Sequence, residues 1–306
     1  MSSDLAAPPL ISTLIQEYRT KVDEVLAALD PNDCDVTVDA LFALRFLLSS
    51  KTRDVAEAIK NAKATLEWRR ANRTMLAAAA AGNLPHGDTF AQFVKTGYAG
   101  VLGGHHPVFV VRAGIADTHG LMRALPHEQC VEYLLAQNEK GFRLCDKLSR
   151  ESGRLCKMVI VIDGAHMSLF RFDRRFPKAQ GASSHLSAMY YPCVPLQKKT
   201  HTKKPELAAA QALTRANARK RRQLLGRSVM VNPPAFFKML WSIFSLLMSA
   251  THREKFALCG ATKTWEHSAS ACPFLSSFGP GQDAAVPAFL GGTLPVPPSL
   301  AASPPY

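Results

Sequence analysis

Between Pro234 and Ala250 (PAFFKMLWSIFSLLMSA) the polar positions are Lys238, Ser242, Ser245 and Ser249, at spacings of 4, 3 and 4. On a helix they form one narrow stripe, and everything else, including Phe236, Phe237, Leu240, Trp241, Phe244 and Leu247, is apolar. Such a helix buries most of its circumference against protein or lipid. At about 1.5 Å per residue it reaches roughly 24 Å, short of the roughly 30 Å of a hydrocarbon core. The pattern predicts the wall or lid of an apolar compartment, with an ordinary core helix as the plainer alternative.

Elsewhere the periodicity alternates. Helical spacing covers Ser12–Leu29, ending at Asp30-Pro31-Asn32, and Asp39–Leu48. A third helix starts at Asp54, with Val55, Ile59, Ala62 and Leu66 on one face. Ala77–Ala81 extends the helical lobe up to Gly82-Asn83-Leu84-Pro85. Short continuous apolar runs follow: PVFVV at 107–111, MVIVI at 158–162 and VMV at 229–231. They read as buried strands. A long amphipathic helix after Pro126, with Val131, Leu134, Leu135, Phe142, Cys145 and Leu148 inward, separates the first two strands; a helical stretch over 170–188 follows the second. Thr251–Leu258 forms a last short segment. Strands alternating with helices predict an α/β fold with a largely parallel sheet flanked by helices, an all-α N-terminal lobe and the apolar helix beside them. The expected organisation is a helical lobe over 1–85, an α/β domain over 86–293 and a disordered Pro-rich tail over 294–306.

The formal charge of +13 suggests nucleic acid until it is located. Residues 193–228 hold ten basic side chains against one acid, Glu206, and so carry +9 of the total. The basic character belongs to one segment. Seven scattered cysteines without a C-x-x-C pair suit reduced thiols in a cytosolic protein, and MSSDLAAPPL carries no secretory-signal pattern.

The sequence carries no catalytic signature. It has no G-x-S-x-G, G-x-x-x-x-G-K-[ST], H-E-x-x-H or G-x-G-x-x-G. His105 and His106 are adjacent at a strand start and point opposite ways, which favours a turn pair over a metal site. Asp163 with His166 could serve as an acid–base pair, but a turn acid satisfying backbone N–H groups is the favoured reading. The expectation is a non-enzyme with no metal and no cofactor.

Seven segments in order resemble the CRAL-TRIO lipid-binding family, which includes retinaldehyde, tocopherol and phosphatidylinositol/phosphatidylcholine transfer-type proteins. They are LRFLLSSKTRDVAEAIKNAKATLEWRR, GHHPVFVVRAG, MVIVIDGAHMSL, SAMYYP, LLGRSVMVNPPAFFKMLWSIF, THREKFALCG and VPAFLGG. The resemblance implies a CRAL-TRIO-like fold and a non-catalytic lipid-binding or lipid-transfer protein. One hydrophobic ligand would lie between a sheet floor and a gate helix at 234–249. Its lipid-pocket residues would be Tyr98, Phe109, Val111, Met158, Ile160, Phe236, Leu240, Trp241, Phe244 and Leu247.

The departures matter. The acid–base pair that follows Tyr-Tyr-Pro in phosphoinositide-binding members is absent, and Ser245 stands where those members have a gate-helix Lys. Phosphatidylcholine-binding members use Tyr, Ser and Thr hydroxyls. At the matching positions Tyr98 is kept, while Phe109, Met158 and Ile160 have lost theirs. A buried phosphate would be poorly satisfied, so an apolar ligand is expected.

The basic stretch 193–227 interrupts a normally continuous motif. A solvated loop, a contact with anionic headgroups, a nuclear-import or nucleic-acid patch around ARKRR and an unspliced gene segment all fit it. Under the membrane reading, Lys198, Lys199, Lys203, Lys204, Arg219, Lys220, Arg221 and Arg222 touch the bilayer surface. The alternative function is a membrane-associated adaptor or regulatory protein using this loop. The chain is expected to be a cytoplasmic monomer, peripheral on membranes through transient contacts, without nucleic acid as partner.

Overall fold

The computed structural model describes residues 8–32, 34–191, 225–234, 236, 237, 241, 256–258, 287–290 and 293–301. The chain divides into two compact units, one of 1–11, 74–184 and 225–306, the other of 12–73 and 185–224.

The first unit is built on a five-stranded sheet in the order β1 (Thr96–Leu102), β2 (His106–Val111), β3 (Met158–Asp163), β4 (Leu225–Val231) and β5 (Phe256–Leu258). β1 and β2 form an antiparallel hairpin whose turn uses Gly103 and Gly104 at φ 57° and 72°. Those left-handed values are open to glycine without steric cost. The pairings β2–β3, β3–β4 and β4–β5 are parallel. The expected α/β fold with a largely parallel sheet is therefore present, and all three predicted strands lie in it.

One face of the sheet is sealed. Val108, Val110, Val159, Val161, Val229 and Val231 line it at 0–4% exposure, with Leu102 beside them. Leu290 and Leu300 close over this face, Leu300 fully buried in a 3-10 turn at Pro298–Leu300. Arg112 fastens that turn: its Nη1 donates to the Leu300 carbonyl at 3.0 Å, and its guanidinium lies 4.3 Å from the Phe289 ring centroid. Within the stretch read from composition as tail, the turn at Pro298–Leu300 is thus docked on the sheet.

The helices of this unit are α5 (Arg73–Ala80), α6 (Gly87–Phe93), α7 (Thr118–Ala124), α8 (His127–Ser152) and most of α9 (Arg175–Tyr190). α8 starts after Pro126 as predicted and ends at Gly153, φ 65°, the left-handed residue that commonly stops a helix. A second apolar cluster joins α6, α7, α8 and α9 through Phe90, Leu121, Leu125, Tyr133 and Phe176.

The second unit packs α2 (Arg19–Ala27), α3 (Ala40–Ser49) and α4 (Val55–Ala71). The predicted helix over 12–29 is two pieces, α1 (Ile11–Glu17) and α2, broken at Tyr18, whose φ −114° and ψ 21° leave the helical region. Asp39 and Asp54 cap α3 and α4, accepting from Phe42 N at 3.0 Å and Glu57 N at 2.7 Å. Arg69, 3% exposed, makes a two-pronged bond to Asp35 at 2.7 and 2.6 Å. Trp68 stacks on Tyr190 with centroids 4.7 Å apart.

Candidate functional site

The opposite face of the same sheet has a different character. Register places Tyr98, Phe109, Ile160, Ser228 and Phe256 in one row across all five strands. The next row holds Thr96, Val111, Ile162, Met230 and Leu258. Side chains alternate along a strand, so these rows share a face that the sealed valines do not reach. Tyr98, Phe109, Val111, Ile160 and Ile162 are only partly buried, whereas their chain neighbours on the sealed side, Val108, Val110, Val159 and Val161, are buried. Five of the ten predicted pocket residues, Tyr98, Phe109, Val111, Met158 and Ile160, stand together on this face.

α8 covers its β1 end. Tyr98 and Phe109 rings tilt together at 5.0 Å. The Tyr98 hydroxyl reaches the Gln137 carbonyl at 3.5 Å and the Met158 sulfur at 3.7 Å, both long contacts. Burial pushes the Tyr98 phenol well above its ordinary pKa. Gly141 permits this approach, because a Cβ there would lie 2.6 Å from the Tyr98 oxygen.

The other end is covered by the start of the apolar helical segment. Phe236, Phe237 and Trp241 pack on Met230, Ile162, Met167 and Phe256. Trp241 and Phe256 centroids are 4.5 Å apart, and Phe237 stacks on Phe256 at 6.3 Å. Two turns set the position of this segment. The Asp163 Oδ1 accepts from Ala165 N at 3.0 Å and from Asn232 Nδ2 at 3.1 Å, and Gly164 N donates to the Val231 carbonyl at 2.9 Å. The turn after β3 is thereby tied to the Asn232-Pro233-Pro234 turn after β4. Asp163 has the turn role its sequence context favoured, and His166 is exposed.

Leu240, Phe244 and Leu247 lie outside the described residues, as do Lys198, Lys199, Lys203, Lys204, Arg219, Lys220, Arg221 and Arg222. Sequence reasoning missed Ile162, Ser228, Met230, Phe237 and Phe256. The two-residue alternation from Ile160 would have found Ile162, and the positions on either side of the sealed Val229 are Ser228 and Met230.

Among the described residues no group of three His, Cys, Asp or Glu side chains could hold a metal, and no helix is long and apolar enough to cross a membrane. His106 is buried with Nδ1 3.0 Å from the Lys157 carbonyl; that nitrogen donates, and desolvation lowers the imidazole pKa.

No protein-family model matches the chain. A solved structure, that of Sfh5, matches with a TM-score of 0.50 and 19% identity, covering 81% of this chain and 78% of that one. At that identity the likeness is one of fold, and the fold is the Sec14-like, CRAL-TRIO one that the sequence motifs resemble.

Proposed function

We propose that this chain is a non-catalytic lipid-binding and lipid-transfer protein holding one hydrophobic molecule on the open face of its sheet. The observation that carries the reading is the contrast between the two faces. Along β2 and β3, Val108, Val110, Val159 and Val161 are buried on one side, while Phe109, Val111, Ile160 and Ile162 on the other are only partly covered; Met158 and Met230 on that second side are buried. Full burial of one Leu- or Phe-sized side chain contributes about 1.5–3 kcal/mol, so the part of Phe109, Val111 and Ile160 that stays uncovered forgoes a fraction of that. An acyl or isoprenoid chain laid over it recovers that contribution. The Sec14-like fold and the segment 234–249 as a gate are consistent with loading one ligand at a time.

The ligand proposed is apolar rather than a phosphoinositide. It needs no cofactor and no covalent step, and the chain acts as a monomer, cytoplasmic and transiently peripheral on membranes. The domain arrangement proposed is a helical lobe followed by the lipid-binding domain, with 193–227 inserted in it. The charge of that insertion favours a second reading, a membrane-bound adaptor that carries no lipid between bilayers.

Native mass spectrometry of the purified chain, with extraction of what co-purifies, is the test. One lipid per chain and transfer between donor and acceptor vesicles is the expected result. A ligand-free chain that moves no lipid, yet sediments with anionic vesicles in a salt-sensitive way, would overturn the carrier reading in favour of the adaptor.

A further inference from the structure

The loop leaving β3 carries a feature that the pocket does not use. Phe170 is 93% exposed. A single exposed apolar side chain is ordinary on a protein surface; what sets Phe170 apart is a fully exposed aromatic ring on a basic segment. Its surroundings are basic. Between residues 164 and 178 there are Arg171, Arg174, Arg175 and Lys178 against one acid, Asp173. All four cations are exposed, and Asp173 is engaged by Arg175 at 2.7 Å and by His119 at 3.2 Å.

The loop is held rather than loose. Thr118 Oγ1 donates to the Arg171 carbonyl at 2.8 Å and accepts from Asp173 N at 2.7 Å, and Phe170 N donates to Ser168 Oγ at 3.3 Å. Three residues before the exposed ring, Met167 packs into the cluster of Met230, Phe236, Phe237 and Trp241. The carboxyl ends of β3, β4 and β5 lie side by side, so the loop, the start of the apolar segment and the half-exposed Leu258 share one edge of the sheet.

We propose that this edge docks on an anionic bilayer, with Phe170 entering the headgroup–acyl boundary and Arg171, Arg174 and Lys178 on the lipid phosphates. An exposed aromatic residue followed in sequence by exposed cations suits such an interface, where apolar burial and attraction to anionic lipid add. An acidic soluble partner would use the cations but leave the ring without a place. Docking here sets the start of the 234–249 segment against the membrane, and that consequence rests on the carrier reading; the docking itself does not.

The experiment uses the full chain and vesicles of phosphatidylcholine with and without phosphatidylserine, at low and high salt. Phe170→Ala should weaken partitioning by about tenfold, and Arg171→Gln with Arg174→Gln by about fivefold each at low salt. Phe170→Trp should bind as wild type does, and the fluorescence it adds should be quenched by lipids brominated near the headgroup. Phe170 is solvent-exposed, so far-UV circular dichroism should be unchanged in all variants. Wild-type affinity in Phe170→Ala overturns the proposal, as does an added indole signal that the brominated lipids leave unquenched. Weakening by the arginine changes alone overturns it in favour of an acidic soluble partner. If wild type docks through Phe170 yet carries no lipid, the docking stands and the carrier reading falls.

Discussion

Ile160 and Val161 share a strand, a backbone geometry and apolar chemistry, and differ in the side of the sheet they face. Val161 is sealed among Val110, Val159 and Val229; Ile160 is partly exposed between Phe109 and Ser228. The same substitution should therefore act on different properties. Val161→Asn buries an amide without a partner and is expected to cost about 3–5 kcal/mol, read as a large drop in urea midpoint. Ile160→Asn should cost about 1–2 kcal/mol and abolish lipid retention in native mass spectrometry. Equal destabilisation by the two would mean that the second face is core as well. Asp173 offers a pH test at the same scale. The Arg175 guanidinium bonded to it, with the Arg175 N–H and nearby His119, holds its pKa down at about 2 against an ordinary 3.8. Its stabilising contribution is complete above roughly pH 4 and is lost as pH falls through about 2. Because the Arg175 partner is solvent-exposed and screened, that contribution is small. Asp173→Asn should lower stability at neutral pH and flatten the acid limb between pH 4 and 2, as followed by thermal melts.

Between elements, the contact of α8 with β1 turns on a single missing methyl group. Gly141→Ala would place Cβ 2.6 Å from the Tyr98 oxygen and 3.3 Å from the Met158 sulfur, so helix and strand must separate, at about 1–3 kcal/mol. The Tyr98 hydroxyl makes only long contacts, so Tyr98→Phe alone should cost little. In the double variant most of the Gly141→Ala penalty should vanish; additive penalties would refute the contact. This spacing was not legible in the sequence, although α8 itself was, because its start at Pro126 and its apolar stripe are local signals. β2 and β3 were legible for the same reason, being continuous β-branched runs. β1 was not: TGYAGVL carries two glycines, and its strand character comes from pairing with β2. The prolines of 294–301 point to a tail, while the burial of Leu300 and the bond from Arg112 depend on a sheet built far away in sequence. Composition measures what a segment can do alone, and docking is a property of its partner.

On the carrier reading, ligand class belongs to the whole molecule, because the row Tyr98, Phe109, Ile160, Ser228 and Phe256 draws on every strand. Motif order made the architecture readable, and departures within the motifs made the chemistry of the floor readable. Which residues of different strands share a row on that face follows from register, which a single strand pattern does not report. Phosphatidylcholine-binding members of the family that the chain resembles place hydroxyls where this chain has Phe109, Met158 and Ile160. The structure sets those three on one face with Tyr98, Phe109 lying directly between Tyr98 and Ile160. A phosphodiester brought to the present floor would find the hydroxyls of Tyr98, Thr96 and Ser228 among otherwise apolar walls, with none at 109, 158 or 160, and each buried phosphate oxygen left without a donor carries a desolvation penalty. Restoring the donors should reverse that balance. The triple variant Phe109→Tyr, Met158→Ser, Ile160→Thr is expected to gain phosphatidylcholine, retaining it at least about tenfold better than wild type, as three recovered hydrogen bonds of about 1 kcal/mol each would allow. It should hold its apolar ligand less well, because two of the changes remove buried methylene groups. Exchange with vesicles containing both lipids, read by mass spectrometry, checks both directions at once. A folded triple variant that still excludes phosphatidylcholine would mean that headgroup choice is made elsewhere in the fold.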